Sequence, residues 1–246
     1  MNRILKNLVY HAPWLFGDRR FLELVFPLHL GYELNLEHPR SYSEKLQWLK
    51  LFDRRPEYTR MVDKASAKKF AAEIIGPDHI IPTIGIYDSP YDIPWDSLPA
   101  QFVIKCTHDS GGIVICRDRS AFDVDAACKT LDSGLHRNFF WKSREWVYRG
   151  VKPALIVEPY MGELVDYKWF CCDGQPRWMF IATDRGRSDV ETKFDFFDTD
   201  FNHLPFTNGH PNAQIPPAKP STWDEMKRLA SMLSQASVMS GSTCMR

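Results

Sequence analysis

A surplus of charge is the first thing the sequence lacks. Its 31 lysines and arginines are matched by 31 aspartates and glutamates, which leaves zero formal charge and a pI near 7.1. A neutral chain has no global basic footprint for nucleic acid and keeps room only for a local patch. Long apolar runs are also absent: none approaches the roughly 18–20 residues of a membrane span. The first twenty residues, MNRILKNLVYHAPWLFGDRR, are basic and apolar, but Asn7, His11 and Pro13 interrupt them. No A-x-A-like site follows, so they do not read as a signal peptide. The six cysteines contain no C-x-x-C pair, and five sit inside apolar stretches. Buried, reduced thiols of a cytoplasmic protein are the reading that fits, and no metal ligands are assigned. Internal repeats are missing as well. What is there, at 44% hydrophobic and 25% charged residues in 246, is ordinary globular material.

The N-terminal quarter has helical periodicity. Ser41 and Glu44 have the spacing of a capping box, and Leu46, Leu49 and Phe52 follow at helical intervals until Pro56. A second helix is expected from near Met61, with Ala67, Phe70, Ala71 and Ile74 on one face and Gly76-Pro77 as its stop. The pattern then shortens. Ile80–Tyr87 reads as a strand entry, and Phe102–Lys105 and Ile113–Cys116 read as a hairpin around the loop Thr107–Gly112. A helix carrying Val124, Ala127, Cys128, Leu131 and Leu135 comes next. Strands are expected at Ala154–Glu158, Tyr167–Cys172 and Trp178–Thr183, the last two joined at Asp173-Gly174. Thr222 and Glu225 suggest a second capping box, and the tail Ser234–Arg246 shows no strand alternation.

Several residues could carry chemistry. Lys105 closes an apolar strand and is followed by a loop with Ser110, Gly111 and Gly112. A strand-fixed ammonium beside glycines suits phosphate, because backbone N–H groups can approach oxygen closely there. The order matches neither G-x-x-x-x-G-K-[ST] nor G-x-G-x-x-G, and a tight hairpin with a surface lysine is the plain alternative. Lys64, with Lys68 four residues on, reads equally as a solvated helix face. Glu158 and Tyr160 end a Val/Ile-rich strand and could form a hinge against a flat base. Arg185 could present a fork to an anionic substrate, and is the candidate catalytic residue, or could form a surface ion pair. The aromatic run Phe139–Tyr148 is either core or a sugar-stacking wall.

Asp63-Lys64, KCTHDSGG (105–112), FFWKSREWVY (139–148), VEPYM (157–161), DYKWFCCDGQP (166–176), Asp184-Arg185 and LPF (204–206) occur in one order. This series, with RSYSEKLQWLKLFDRRPEY (40–58), resembles the TupA-like branch of the ATP-grasp superfamily, named for a teichuronopeptide biosynthesis protein. The resemblance implies an α+β fold in which two lobes clamp ATP behind a helical N-terminal segment. The divisions would fall at residues 1–60, 61–157 and 158–246. It also implies a cytoplasmic carboxylate–amine ligase that makes an acyl phosphate with ATP and Mg²⁺. Such an enzyme would join an amino acid to a sugar acid in capsular, teichuronic or exopolysaccharide synthesis. Lys64 and Lys105 match the lysines that hold ATP phosphates, and Ser110, Gly111 and Gly112 match the loop that closes over them. Glu158 and Tyr160 match the hinge beside adenine, and Lys168 falls in the second-lobe motif.

Two departures from the branch stand out. Asp109 occupies a position where a small residue is usual, and its carboxylate would repel ATP unless it points away. No Asp or Glu follows Glu225, whereas the branch places its Mg²⁺-binding carboxylates on a strand pair after the last helix. The expectation is a C-terminally truncated chain without metal ligands. Two alternatives accompany the ligase: a non-catalytic nucleotide-binding relative, and a glycosyltransferase of the same pathway using Asp198-Thr199-Asp200.

Overall fold

The computed structural model describes residues 3–109, 111–162, 165–185, 189–235 and 239–245. Five helices come first: α1 (Arg3–His11), α2 (Asp18–Leu30), α3 (Tyr42–Phe52), α4 (Glu57–Val62) and α5 (Lys64–Ile75). Strands β1 (Gly85–Tyr87), β2 (Phe102–Cys106) and β3 (Ile113–Cys116) precede α6 (Val124–Leu135), the short α7 (Phe140–Ser143) and β4 (Leu155–Pro159). Then follow β5 (Asp166–Cys172), β6 (Gln175–Thr183), β7 (Lys193–Asp198), β8 (His203–Leu204), α8 (Trp223–Ser234) and β9 (Met239–Met245). The chain divides into two compact units. One comprises Met1–Phe70 and Ile81–Tyr160, the other Ala71–Ile80 and Met161–Arg246.

The first unit is built on an antiparallel sheet of order β1-β4-β2-β3. Phe102, Ile104, Leu155 and Val157 alternate inward from β2 and β4, and Leu131 of α6 packs against them. Glycine is required where α6 meets the hairpin. A Cβ on Gly112 would lie 2.3 Å from the Cys106 sulfur, and one on Gly134 of α6 would lie 2.6 Å from the same atom. The N-terminal helices form a separate cluster around Val9, Phe21 and Leu22. Their connection is pinned by Arg144, which is 1% exposed. Its guanidinium lies 4.4 Å from the Phe21 ring centroid and donates to the carbonyls of Pro13 and Phe16.

The second unit carries the sheet β8-β7-β6-β5-β9. α8 covers one face, where Trp169, Met179, Phe197 and Trp223 interlock, with the two tryptophan rings 4.8 Å apart. Asp173 (φ 51°) and Gly174 (φ 71°) join β5 to β6. Two consecutive positive φ values define the type I′ turn that suits a two-residue hairpin.

Four local expectations need correction. The strand entry at 80–87 shortens to Gly85–Tyr87, because Pro82 cannot donate a ladder hydrogen bond. The box at Thr222 does not form: Thr222 makes no side-chain cap, and Glu225 pairs with Arg228 at 2.7 Å instead. The tail does contain a strand, β9, which pairs antiparallel with β5 from Tyr167↔Met245 to Cys172↔Met239. A backbone ladder needs no apolar alternation, so the pattern gave no sign of it. The run 139–148 is not uniformly core: Phe140 is 1% exposed, Trp141 is 37% exposed, and half-buried Trp146 donates its Nε1–H to the Asp53 carbonyl.

Gly112→Ala is expected to destabilise the protein by roughly 1–3 kcal/mol through overpacking. Cys106→Ala in the same background should recover much of the loss. A Gly112→Ala protein that melts like the parent would show that the Cys106 contact does not constrain the hairpin.

Candidate functional site

The site grows from the ends of three elements of the first unit. β2 and β4 are adjacent, with Val103 opposite Glu158 and Lys105 opposite Ile156. Strand pairing therefore brings Lys105 close to Glu158 whatever their side chains prefer. α5 begins at Lys64, whose backbone N–H bonds the Thr107 carbonyl at 3.0 Å, so the helix start is tied to the loop after β2. Lys68 lies one turn further along the same helix.

Glu158 is the centre of the arrangement. Its carboxylate is buried and accepts from Lys105 Nζ at 2.8 Å and from Lys68 Nζ at 2.5 Å, one lysine on each oxygen. Burial pushes the carboxyl upward, but the hydrogen bonds from Lys105 and Lys68 outweigh it and hold the group below its ordinary value. Lys64 Nζ donates to the carbonyls of Cys106 at 2.8 Å and Asp109 at 2.5 Å. Burial lowers its ammonium from the usual lysine value, and the nearby Asp109 charge offsets part of that shift. Lys68 and Lys105 thus meet at Glu158 beside β2, and Lys64 sits at the exit of that strand.

The loop after β2 has internal partners. The Asp109 carboxylate does not point away into solvent. It is buried and paired with Arg137 Nε at 2.9 Å, so its charge is compensated within the protein. His108 is 2% exposed, and its Nε2 meets the Arg137 carbonyl at 2.9 Å. Gly111 lies beside the Asp109–Arg137 pair. Gly112 returns its carbonyl to the Cys106 N–H at 2.7 Å and is glycine for the packing reason given above. Ser110 lies outside the described residues. Burial also pushes the Cys106 thiol up, which keeps it protonated.

Tyr160, just past β4, accepts from Arg117 Nε at 3.1 Å, with the guanidinium 5.6 Å from its ring centroid. Beside the loop lies a pocket of about 670 Å³. Asp109, Gly111 and Arg137 form one side, Phe139, Trp141 and Lys142 another, and Val9, Tyr10, Pro13 and Phe21 the rest, with Asn138 between.

Lys64, Lys105, Gly111, Gly112, Glu158 and Tyr160 therefore belong to one unit, with Lys64, Lys105 and the glycines at the end of β2 and Tyr160 beside its start, next to Gln101. The other two candidates belong to the second unit. Lys168 Nζ stands 5.7 Å from the Phe180 ring centroid. Arg185 forms an ion pair with buried Asp166. Asp198 spends its carboxylate on its own turn, accepting from the backbone N–H groups of Asp200 and Asn202 and from Asn202 Nδ2, each at 2.9 Å. Among the described residues no three His, Cys, Asp or Glu side chains converge, and β9 carries no carboxylate.

Sequence reasoning passed over two members. Lys68 reads as a solvated helix face in the sequence, because its partner Glu158 is 90 residues away. Arg137 had no signal, because its partner Asp109 is 28 residues away.

Residues 44–239 match the family model of the TupA-like ATP-grasp proteins. The chain belongs to that family, and its fold is the α+β ATP-grasp fold. Solved structures similar to it include the ATP-grasp ligase PsnB in complex with a phosphomimetic variant of its minimal precursor, Mg and ADP. That match has 9% identity and a TM-score of 0.39, covering 81% of this chain and 51% of that one. D-alanine–D-alanine ligase from Helicobacter pylori is another, with 14% identity and a TM-score of 0.36 over 78% of this chain and 53% of that one. The chain thus spans about half the length of the solved structures it matches. A comparison with curated protein sequences returned no match.

Acid should expose the role of Glu158. Its folded value lies below 4.5, so its ion pairs stabilise fully above that pH and the contribution is lost as pH falls through the lowered value. The stability gap between the parent and Glu158→Gln, measured by denaturant unfolding, should be widest near neutrality and shrink below pH 4.5. A gap that stays constant on acidification would contradict the ion-pair assignment.

Proposed function

We propose that the chain is the nucleotide-handling part of an ATP-dependent ligase that joins an amine to a carboxylate. Its first unit would be the phosphate-binding lobe, and its second unit, with Lys168 and Arg185, the other lobe. The observation that carries this reading is the cluster Lys64, Lys68, Lys105 and Glu158 at the mouth of a glycine-bearing loop. Three ammonium groups against one carboxylate leave an excess of positive charge where phosphate oxygens would arrive. Strand pairing fixes Lys105 before any ligand binds, so little ordering entropy opposes the contact. With Asp109 compensated by Arg137, its carboxylate does not oppose an anion in the loop. Tyr160, held by Arg117, would contact the purine.

In the reaction, a carboxylate oxygen attacks the γ-phosphorus of ATP, and the bond to ADP breaks. The acyl phosphate is then attacked by an amine nitrogen, which loses a proton as phosphate leaves. The lysines would bind the phosphates and offset charge spreading over the transferred group. The pocket beside the loop supports a seat for the acceptor: Phe139 and Trp141 offer apolar faces, and Lys142 and Asn138 offer polar contacts. A sugar acid receiving an amino acid, in surface polysaccharide synthesis within the cytoplasm, is the substrate pair we assign.

Calorimetric titration of ATP should show binding to the 246-residue chain. Lys105→Ala should weaken it by about 1.5–3 kcal/mol, the worth of a charge-assisted hydrogen bond. Unchanged affinity in a variant that still folds would remove Lys105 from the site.

A further inference from the structure

The N-terminal segment holds large apolar side chains in solvent. Leu8 is 41% exposed, Tyr10 42%, Trp14 62% and Leu15 63%, all within eight residues. The exposure of Trp14 and Leu15 is held in place. Buried Arg144 donates to the carbonyls of Pro13 and Phe16, which flank the two residues, and α2 resumes directly after them. With both flanking carbonyls fixed and Pro13 buried, the tip between them points outward.

Charge gathers on the same segment. Between Leu8 and Arg20 the charged residues are Asp18, Arg19 and Arg20, in a chain that is neutral overall. Asp18 is already paired with Arg54 at 2.8 Å. Arg19 and Arg20 share the single carboxylate of Glu23, at 2.9 and 3.5 Å, which leaves a positive excess there. Their side chains remain 58% and 65% exposed.

An exposed Trp14-Leu15 tip followed within one turn by exposed Arg19 and Arg20 matches the layering of a bilayer surface. Leucine enters the acyl boundary, the amphipathic rings rest at headgroup depth, and cations meet lipid phosphates. No helix among the described residues is long and apolar enough to cross a membrane, so the contact would be peripheral. We propose that the segment Leu8–Arg20 docks the protein onto an anionic lipid surface. The same segment supplies Val9, Tyr10 and Pro13 to the wall of the pocket beside the phosphate loop. The proposal stands on the exposure and charge of the segment and does not require the ligase reading.

The test is co-sedimentation of the 246-residue chain with vesicles of phosphatidylcholine alone or mixed equally with phosphatidylglycerol. The chain should pellet with the mixed vesicles, and added salt should release it. Trp14→Ser/Leu15→Ser should weaken the partition by on the order of tenfold without lowering the melting temperature, since both side chains are exposed. Arg19→Gln/Arg20→Gln should weaken it by about fivefold per charge removed, on the anionic vesicles only. A chain that stays in the supernatant with anionic vesicles at low salt overturns the proposal. So does binding that ignores both double variants. A third contrary outcome is a parent that elutes as a dimer and becomes a monomer in Trp14→Ser/Leu15→Ser, because a second copy would then be the occupant.

Discussion

One carboxylate organises the first unit. Glu158 sits at the end of a central strand, buried, with a lysine on each oxygen. A buried carboxylate is tolerated only when opposite charge and hydrogen bonds replace its lost hydration. Lys105 comes from the neighbouring strand and Lys68 from helix α5, so one charged group ties three elements together. The arrangement also gathers two long, otherwise mobile cations on one buried carboxylate. Lys64 completes it from the helix start by bonding loop carbonyls rather than a carboxylate. Its ammonium is held by these carbonyls, with the Asp109 charge nearby.

The loop itself is shaped by packing as much as by any ligand. The Cys106 sulfur occupies the space that side chains at Gly112 and Gly134 would need, which locks the hairpin against α6. Arg137, two residues past the end of α6, then reaches Asp109. A glycine pair that reads as a phosphate cradle thus has two separate duties. Gly112 permits close contact between β3 and α6, and Gly111 lies beside the ion pair at the pocket edge.

The helices α3, α5, α6 and α8 and the strands β2 to β6 were legible because each is locally determined. The Ser41–Glu44 box forms with both reciprocal bonds, and the Asp173-Gly174 turn has the backbone that its residues favour. The order of motifs was enough to place the chain in its family. What stayed hidden depends on long-range pairing. Lys68 looks like any solvated lysine until β4 brings Glu158 to it, and Arg137 has no periodic or motif signature. The tail strand is a backbone ladder, and alternation rules see only side chains. Asp109 looked like a liability because the sequence shows its charge and not its partner. The Thr222 box failed for the converse reason: Glu225 has a nearer cation in Arg228.

The proposed phosphate site combines Lys64 on the loop carbonyls with Lys68 and Lys105 on Glu158. Reductive ¹³C-methylation of the lysines, with resonances assigned by single Lys→Arg variants, would report on each ammonium directly. Addition of ADP should shift the signals of Lys64, Lys68 and Lys105 together, with a common saturation curve, and inorganic pyrophosphate should reproduce the shifts. ADP that leaves these three signals unmoved while perturbing others would contradict the account.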